Sequence, residues 1–572
     1  MNPQPPVTRM RMAARTSSAE RSALAESASG TARASGYLQR WRVRFAGTDW
    51  APWLILALAA FLRFFLLGIK PPHFDEGING WFVDQVMKNG FYRYDPTNYH
   101  GPLHFYVLTL FQSLFGRNVW ALRLPVVLVS IACVWVALKF EPFVGKNVSR
   151  IAALAMAVSP GFVFYGRYAI HEVWLQFFSM LFILGLLGLW RRGTLTYLWC
   201  AGMGLTGMIL TKETYAIHVA CALLAIPTLA VSYALIRVPD VQPAKQTWSW
   251  IDLAMVIIVG GFAIVSFYSG TFFNWSGVKG LYLAFKAWTE TGAAGHGHEK
   301  AWDYWLGLML PHFEIKRADF FGYELPMLVG LILSFILGVA ILFRRQYSQK
   351  FNLSLRYLAI YGVGSLVAYS IVKYKTPWCI VSFGWPLLFV FGGAILLVRP
   401  KHLRLAQNTI GVLLAISLGS SIWLNYFKCS SPDEPYAYVQ TYNDIFKFTK
   451  PLLTMAKRDP SNYHLTGHLI RSSVYPLPWM LGDFDRTGYY EGSMPANLDG
   501  DFLLVQQDKI KDVESKLKGT YYTDTLTIRN YQDPSKAFFR AEVFKDLFPG
   551  KTPDFVGNAP KPAPSPAPAK VP

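Results

Sequence analysis

Acid is scarce in this chain. It holds 35 Asp and Glu among 572 residues against 55 Lys and Arg, a formal net charge of +20. Charged residues of both signs reach only 16%, apolar ones 52%, and mean hydropathy is +0.25. That composition argues against a string of soluble domains, which carry about 25% charged residues. Cysteine is sparse too. Cys133, Cys200, Cys221 and Cys379 fall within apolar runs and Cys429 at the end of one. With no CxxC or Cys/His spacing, neither a disulfide framework nor a structural zinc site is expected, and the five read as small buried apolar residues. No cleavable signal segment stands before the first apolar run, so that run is expected to serve as its own anchor.

What the chain does have is long apolar runs. They lie at about 50–69, 119–140, 150–166, 172–190, 195–211, 214–236, 251–273, 325–343, 355–372, 378–398 and 407–426, most of them near the roughly 18 residues that cross ~30 Å of hydrocarbon. Pro102 to Gly116 is short and carries His104 and Gln112, so we place it along the outer interface instead. Charge supports that choice. With it, the clusters Lys139/Lys146/Arg150, Arg191/Arg192, Arg237/Lys245, Arg344/Arg345/Lys350/Arg356 and Arg399/Lys401/Arg404 all fall inside. The positive-inside rule then gives eleven spans, N-terminus in and C-terminus out. The basic excess is thereby explained without nucleic acid. The sequons at Asn147 and Asn352 fall inside and are silent, and the one at Asn274 lies outside.

The expected organisation has four parts. Residues 1–48 form a disordered basic cytoplasmic tail rich in Ala, Ser and Arg, and 49–429 the membrane domain. Residues 430–550 form a small extracytoplasmic α/β domain, followed by a Pro/Ala-rich tail, 551–572. Within the α/β domain, helices are predicted over Tyr438 to Lys457, Asp508 to Leu517 and Pro534 to Phe548. Strands are predicted over His464 to Ile470, Asp501 to Gln506 and Tyr521 to Arg529.

The chemistry is sought where the outer face gathers polar residues. Asp75 and Glu76 stand side by side just after the first span, in His73-Phe74-Asp75-Glu76-Gly77, and the same loop continues through Tyr99 and His100. Arg123 sits at the outer end of the second span; Arg167, His171 and Glu172 lie between the third and fourth. Lys212 and Glu213 join the fifth and sixth, and Lys373, Tyr374 and Lys375 the ninth and tenth. Charges near lipid cost roughly 2.5–3.5 kcal/mol at mid-helix, so such residues are expected around a wet cavity. Carboxylates beside cations suit a phosphate-bearing lipid donor and a hydroxyl or amide acceptor: a carboxylate takes the acceptor's proton while fixed cations hold the departing phosphate. Asp75 is the expected base. Glu76 would position the acceptor or raise the affinity of Asp75 for its proton, and His171 and Glu172 form a second acidic corner. Arg123, Arg167, Lys212, Lys373 and Lys375 are the expected phosphate ligands. Each has a plainer reading: Asp75 and Glu76 could cap a helix, Arg123 could snorkel, and Lys212 and Glu213 could pair locally. His298 and Lys300, beside His296 and ahead of Trp302 and Tyr304, complete the substrate-loop candidates with Tyr99 and His100. Two histidines and Glu299 could hold a metal, but an interfacial aromatic loop is the preferred reading, and no metal or other cofactor is expected.

Taken together, these motifs resemble the GT-C glycosyltransferases, in their protein-mannosyltransferase and aminoarabinose-transferase branch. The finest similarity is to the flippase-activity-associated multi-pass family. It is carried by His73-Phe74-Asp75-Glu76-Gly77, Tyr99-His100-Gly101-Pro102-Leu103, Ala121-Leu122-Arg123-Leu124-Pro125 and Gly166 to Glu172. Leu210-Thr211-Lys212-Glu213, His298-Glu299-Lys300 and Tyr374 to Trp378 extend it, with Pro435 to Thr441 and Pro476 to Trp479 in the soluble domain. The resemblance implies a polyprenyl-phosphate-linked sugar as donor and inverting transfer on the outer face of the cytoplasmic membrane. The acceptor would be a glycan, lipid or protein, with Asp75 as base and no metal. His171 beside Glu172 departs from the broader pattern. A non-catalytic role in flipping or presenting lipid-linked sugar is the competing reading.

Overall fold

The computed structural model describes residues 49–236, 243–295, 297–314, 319–321, 323–343, 349–530 and 532–557. The predicted 1–48 tail, the 558–572 end, Arg237, His296, Arg344 and Arg345 lie outside the described residues. All eleven apolar runs fold as helices. The third is broken at Ser159-Pro160 into Lys146–Val158 and Pro160–Tyr165, because proline offers no N–H to continue the ladder but starts a new helix well. Among the described residues, six helices are long and apolar enough to cross a membrane. Their burial differs with position. Of the most apolar window in Pro377–Leu397, 78% is inside the protein, but only 11% of that in Trp250–Tyr268. The first is a central post and the second shows its apolar face outward, as lipid demands. The chain is a multi-pass membrane protein.

Leu103–Phe115, kept out of the span count, is a helix of 13 residues. At 1.5 Å per residue it reaches about 20 Å, short of the ~30 Å of hydrocarbon. It packs between the helix Phe74–Asn89, called here the loop helix, and Val119–Lys139. The long loop after Asn274 holds a helix that the sequence reading lacked, Ser276–Ala294.

The C-terminal domain is a six-stranded sheet with helices on it. Its strands are β1 Gly467–Ile470, β2 Thr487–Tyr490, β3 Phe502–Gln506, β4 Thr520–Leu526, β5 Ser535–Arg540 and β6 Phe555–Val556, in the order β2-β1-β3-β5-β4-β6. β1 is parallel to β2 and β3, and the remaining pairs are antiparallel. β3, Phe-Leu-Leu-Val-Gln, is buried through Val505, as a strand covered on both faces must be. Its alternate residues divide between two cores: Phe502 and Leu504 meet Phe448 and Leu452 of the helix Ile445–Arg458, while Leu503 and Val505 meet Val513 and Phe538.

Two predicted helices need correction. Tyr438 to Lys457 becomes helical only at Ile445, because the preceding segment is drawn into the membrane domain, with Val439 at φ +55°. Pro534 to Phe548 starts as β5, which fills the slot between β3 and β4; that pairing overrides local helix preference, and only Ala541–Phe544 is helical.

Pro476 to Trp479 docks this domain on the loop helix. A Cβ at Gly77 would stand 2.4 Å from the Pro476 Cα, and one at Gly80 2.4 Å from the Trp479 ring. Only glycine permits so close a seat. Trp479 Nε1 donates to Gln112 Oε1 at 3.0 Å across it.

Candidate active site

The loop helix begins at His73-Phe74-Asp75-Glu76, and its first turn separates the two acids. His73 is the N-cap: its Nδ1 accepts from the Asp75 N–H at 3.1 Å, and Glu76 reaches back to accept from the His73 N–H at 2.9 Å. This is a capping box with an imidazole in place of the usual hydroxyl. Glu76 is fully buried, and it also accepts from the Ala169 N–H and from Arg123 Nε and Nη2, at 2.9, 2.7 and 2.6 Å. Burial pushes its proton affinity up, but Arg123 and these hydrogen bonds outweigh burial and hold the carboxyl below its usual range. Glu76 is therefore consumed in structure, which corrects its assignment as an acceptor-positioning acid. Asp75, one residue earlier, is 32% exposed and lines a cavity, with His73 Nδ1 3.9 Å from its Oδ2.

That cavity has a volume of about 250 Å³. The loop helix gives it Asp75 and Asn79, and the turn after Asn98 gives Tyr99 and His100. His171 and Glu172 stand at the start of helix Glu172–Arg191; Lys212 and Glu213 come from the Leu210–Thr214 corner. His298 and Tyr374 close it from the far loops, and Trp288 and Thr291 from Ser276–Ala294. So seven predicted residues, Asp75, Tyr99, His100, His171, Glu172, Lys212 and His298, meet in one place from five separate stretches of chain. The backbone fastens two of these: the Gly101 N–H donates to the Thr211 carbonyl at 3.0 Å and the Leu103 N–H to that of Leu210 at 3.1 Å. A Cβ on Gly101 would reach 2.2 Å from the Leu210 oxygen, so that approach also requires glycine.

Within the cavity, charge is paired. The Lys212 ammonium donates to Glu172 Oε1. Burial opposes the charge on Lys212, but Glu172 prevails and keeps it protonated well above the usual lysine range. His100 Nδ1 lies 3.0 Å from Glu213 Oε2. His171 is buried, lies between the tilted rings of His100 and His104 with centroids 4.6 and 4.3 Å away, and leaves its Nε2 unpartnered among the described residues. Burial, then the neighbouring histidines, drives its pKa well below the normal value, so it stays neutral. Among the described residues no group of three or more His, Cys, Asp or Glu side chains is arranged to hold a metal ion.

Four predicted cations lie elsewhere. Arg123 spends all five N–H groups: besides the two to Glu76, they reach the carbonyls of Leu67, Lys70 and Pro71 at 2.8, 3.1 and 3.2 Å. Arg167 donates to the carbonyls of Leu62, Phe65 and Leu66 at the end of the first helix, at 2.9, 2.7 and 2.7 Å, and to the Tyr426 hydroxyl. At a helix end such carbonyls lack the usual ladder partner, and that of Leu66 also accepts from the Ile69 N–H at 3.0 Å. Lys375, 2% exposed, donates to the carbonyls of Val372 and Lys300. These three are corrected from phosphate ligands to backbone clamps. Lys373 is exposed and not part of the cavity lining; Lys300 lies over the Tyr438 ring at 5.5 Å. Trp302, just after that loop run, is 72% exposed and also outside the cavity lining.

The structure adds residues the sequence reading did not assign. Tyr438, in the segment leading to the C-terminal domain, accepts at its carbonyl from His73 Nε2 at 2.9 Å, and its hydroxyl meets His298 Nδ1 at 2.7 Å. Since Nε2 donates to a carbonyl, Nδ1 is the bare nitrogen that caps Asp75, and the tautomer is fixed. Lys70 is fully buried over the Tyr168 and Phe164 rings, at 3.5 and 3.9 Å.

Residues 99–268 match the family described as dolichyl-phosphate-mannose-protein mannosyltransferase. The whole chain resembles a crystal structure of ArnT from Cupriavidus metallidurans bound to undecaprenyl phosphate. The TM-score is 0.56 at 15% identity, over 85% of this chain and 97% of that one. The fold is that of the GT-C glycosyltransferases. The apo form of the same ArnT overlaps at a TM-score of 0.52 and 14% identity, over 88% and 98% of the two chains. Mycobacterial AftD, an arabinofuranosyltransferase, overlaps at 0.44 and 13% identity over 86% of this chain and 39% of its own, too weakly to argue from. No curated protein sequence matches significantly. The family match begins at Tyr99 and takes in His100, His171, Glu172, Lys212 and Glu213 of the cavity's polar lining.

Proposed function

We propose that the chain is a membrane glycosyltransferase. It transfers a sugar from a polyprenyl-phosphate-linked donor to an acceptor at the outer face of the cytoplasmic membrane, with Asp75 as general base. The observation that carries the reading is the division of the acid pair: Glu76 is locked to Arg123, and Asp75 opens on the same cavity as the buried ammonium of Lys212. The bound undecaprenyl phosphate of ArnT supports a lipid-phosphate donor for this chain too.

In the proposed step the acceptor oxygen forms a bond to the anomeric carbon from the face opposite the phosphate, inverting that centre. The bond from carbon to phosphate oxygen breaks, its electron pair leaving with polyprenyl phosphate. The acceptor's proton passes to the Asp75 carboxylate. Lys212 holds the growing charge on the phosphate, and its partner Glu172 fixes its place. Neutral His171 and the His100–Glu213 pair bind hydroxyls of sugar or acceptor.

Asp75→Asn removes the base with little change in shape. It is expected to lower transfer from a radiolabelled polyprenyl-phosphate sugar by about 10²–10⁴-fold, while the purified protein elutes as the parent does. Full transfer by Asp75→Asn and Asp75→Ala would sink the assignment.

A further inference from the structure

Outside the proposed catalytic cavity, a second built cleft lies where the loop helix meets the C-terminal domain. It has a volume of about 740 Å³, inside the ~300–1,000 Å³ range of small-ligand clefts. Trp81, Asp84 and Lys88 line one wall at helical spacing, Tyr475 and Tyr489 the other, and Arg117 stands at its floor. The polar floor is fixed in advance. Arg117 Nη1 donates to Asp84 Oδ2 at 2.7 Å and to the Trp479 carbonyl at 3.0 Å, and its Nε donates to Asp483 at 2.9 Å. Gln112 Nε2 holds the other oxygen of Asp84 at 3.2 Å. A Cβ at Gly482 would fall 2.5 Å from Arg117 Nη1, so a bare backbone is what lets the domain close over this pair.

From this we propose that the cleft is a glycan-binding groove that holds the acceptor, and hence that the acceptor carries a neutral oligosaccharide. The proposal rests on the transferase reading above. Its chemistry is that of sugar recognition: apolar C–H faces stack on aromatic rings, and hydroxyls pair with carboxylate and guanidinium groups already held in place. Tyr489 leaves 36% of its surface open for such stacking. Charge selects within the class, since Asp84 and the lining Glu491 balance Lys88 and Arg117, leaving nothing to attract an anionic chain. Position links groove to chemistry. One helix carries both sites, Asp75 at its first turn and Trp81 to Lys88 in its later turns. The nine residues from Asp75 to Asp84 span about 14 Å of axis. The two faces meet at Phe74, whose ring packs edge-on against Tyr475 at 5.8 Å. A glycan lying in the groove thus points its end toward the base. The open edge of β2 could instead pair with a peptide, but the groove presents rings and side-chain forks.

The test uses the full chain in lipid nanodiscs and saturation-transfer NMR with free neutral trisaccharides of gluco-, manno-, galacto- and arabino- configuration. A uronic-acid trisaccharide and an unstructured peptide serve as rivals. At least one neutral trisaccharide is expected to bind the parent protein and Asp75→Asn alike. It should bind Trp81→Ala and Tyr489→Ser at least tenfold more weakly, with polyprenyl-phosphate binding and elution unchanged as the check on folding. Tyr489→Ser, altering an open ring on an edge strand, guards against misfolding of Trp81→Ala. Binding of no neutral trisaccharide, undiminished binding in both variants, or preference for the uronic-acid sugar or the peptide would overturn the proposal. The two readings fail separately. Loss of transfer in Asp75→Asn without trisaccharide binding removes the groove alone; trisaccharide binding beside full transfer in Asp75→Asn removes the base and leaves the groove.

Discussion

Replacing Arg123 with methionine separates the two roles open to that residue. Its guanidinium and the Glu76 carboxylate are both fully buried and joined at 2.6 and 2.7 Å. Removing the cation leaves Glu76 charged in a dry site, a loss of about 3–5 kcal/mol. The carbonyls of Leu67 and Lys70 lose donors as well, at about 1–3 kcal/mol for each buried acceptor left bare, while that of Pro71 keeps the Gln440 Nε2 donor at 3.1 Å. Arg123→Met is therefore expected to unfold at a much lower temperature, read as the midpoint of monodisperse protein surviving heat by fluorescence-detected chromatography. The companion Glu76→Gln/Arg123→Met removes the stranded charge, while the amide oxygen can still accept from one of the His73 and Ala169 N–H groups, which meet different oxygens of the carboxylate. It should recover the ionic share of the loss, though not the carbonyl share. Donor affinity in surviving protein should be near that of the parent for both. The reasoning is refuted if Arg123→Met melts like the parent yet binds polyprenyl phosphate tenfold more weakly, because the arginine would then be a phosphate ligand after all.

Three further outcomes are expected. Lys212→Met should weaken polyprenyl-phosphate binding about tenfold or more, the ~1.5–3 kcal/mol of a charge-assisted hydrogen bond. Adding Glu172→Gln should restore thermal stability but not affinity, and if affinity returns too, Lys212 serves only to neutralise Glu172. Gly80→Ala drives a methyl into the Trp479 ring and should cost about 1–3 kcal/mol; unchanged protease resistance of the C-terminal domain would refute the tight seat. Burial raises the carboxyls of Glu324 and Glu434 to about 7. Their folded pKa lies above the unfolded one, so the stability they contribute is present below about 4.5 and lost as pH rises through about 7. The melting midpoint should fall between pH 5 and 8, less steeply in Glu434→Gln, and a flat profile in the parent would refute it.

The membrane helices were legible because lipid imposes length and apolarity on each run separately, with no knowledge of neighbours. Much of the cavity was legible for a related reason: Asp75, His171, Glu172 and Lys212 stand at span ends, and topology alone puts span ends on one side. The arginines were not. A cation at a span end looks the same in sequence whether it meets a phosphate or a carbonyl. What decides is which carbonyls at a helix end lie within reach, and for Arg167 these belong to Leu62, Phe65 and Leu66, a hundred residues away. β5 was misread for the same cause, since its pairing with β3 and β4 is not written in Ser535 to Arg540 itself.

Asp75 and Glu76 show why adjacency in sequence is a poor guide to shared function. Consecutive helical residues point about 100° apart, so two neighbouring acids at a helix start need not share one environment. Here the N3 position goes to Glu76, which the capping box turns back toward the His73 N–H, into the reach of Arg123. Its charge is then matched at contact distance. Glu76 serves Asp75 by fixing the turn that aims it: the glutamate holds the His73 backbone, the His73 ring holds the Asp75 N–H, and the Tyr438 carbonyl holds the ring. Through that chain of hydrogen bonds, the segment leading to the C-terminal domain sets the direction of a carboxylate in the loop that follows the first membrane helix.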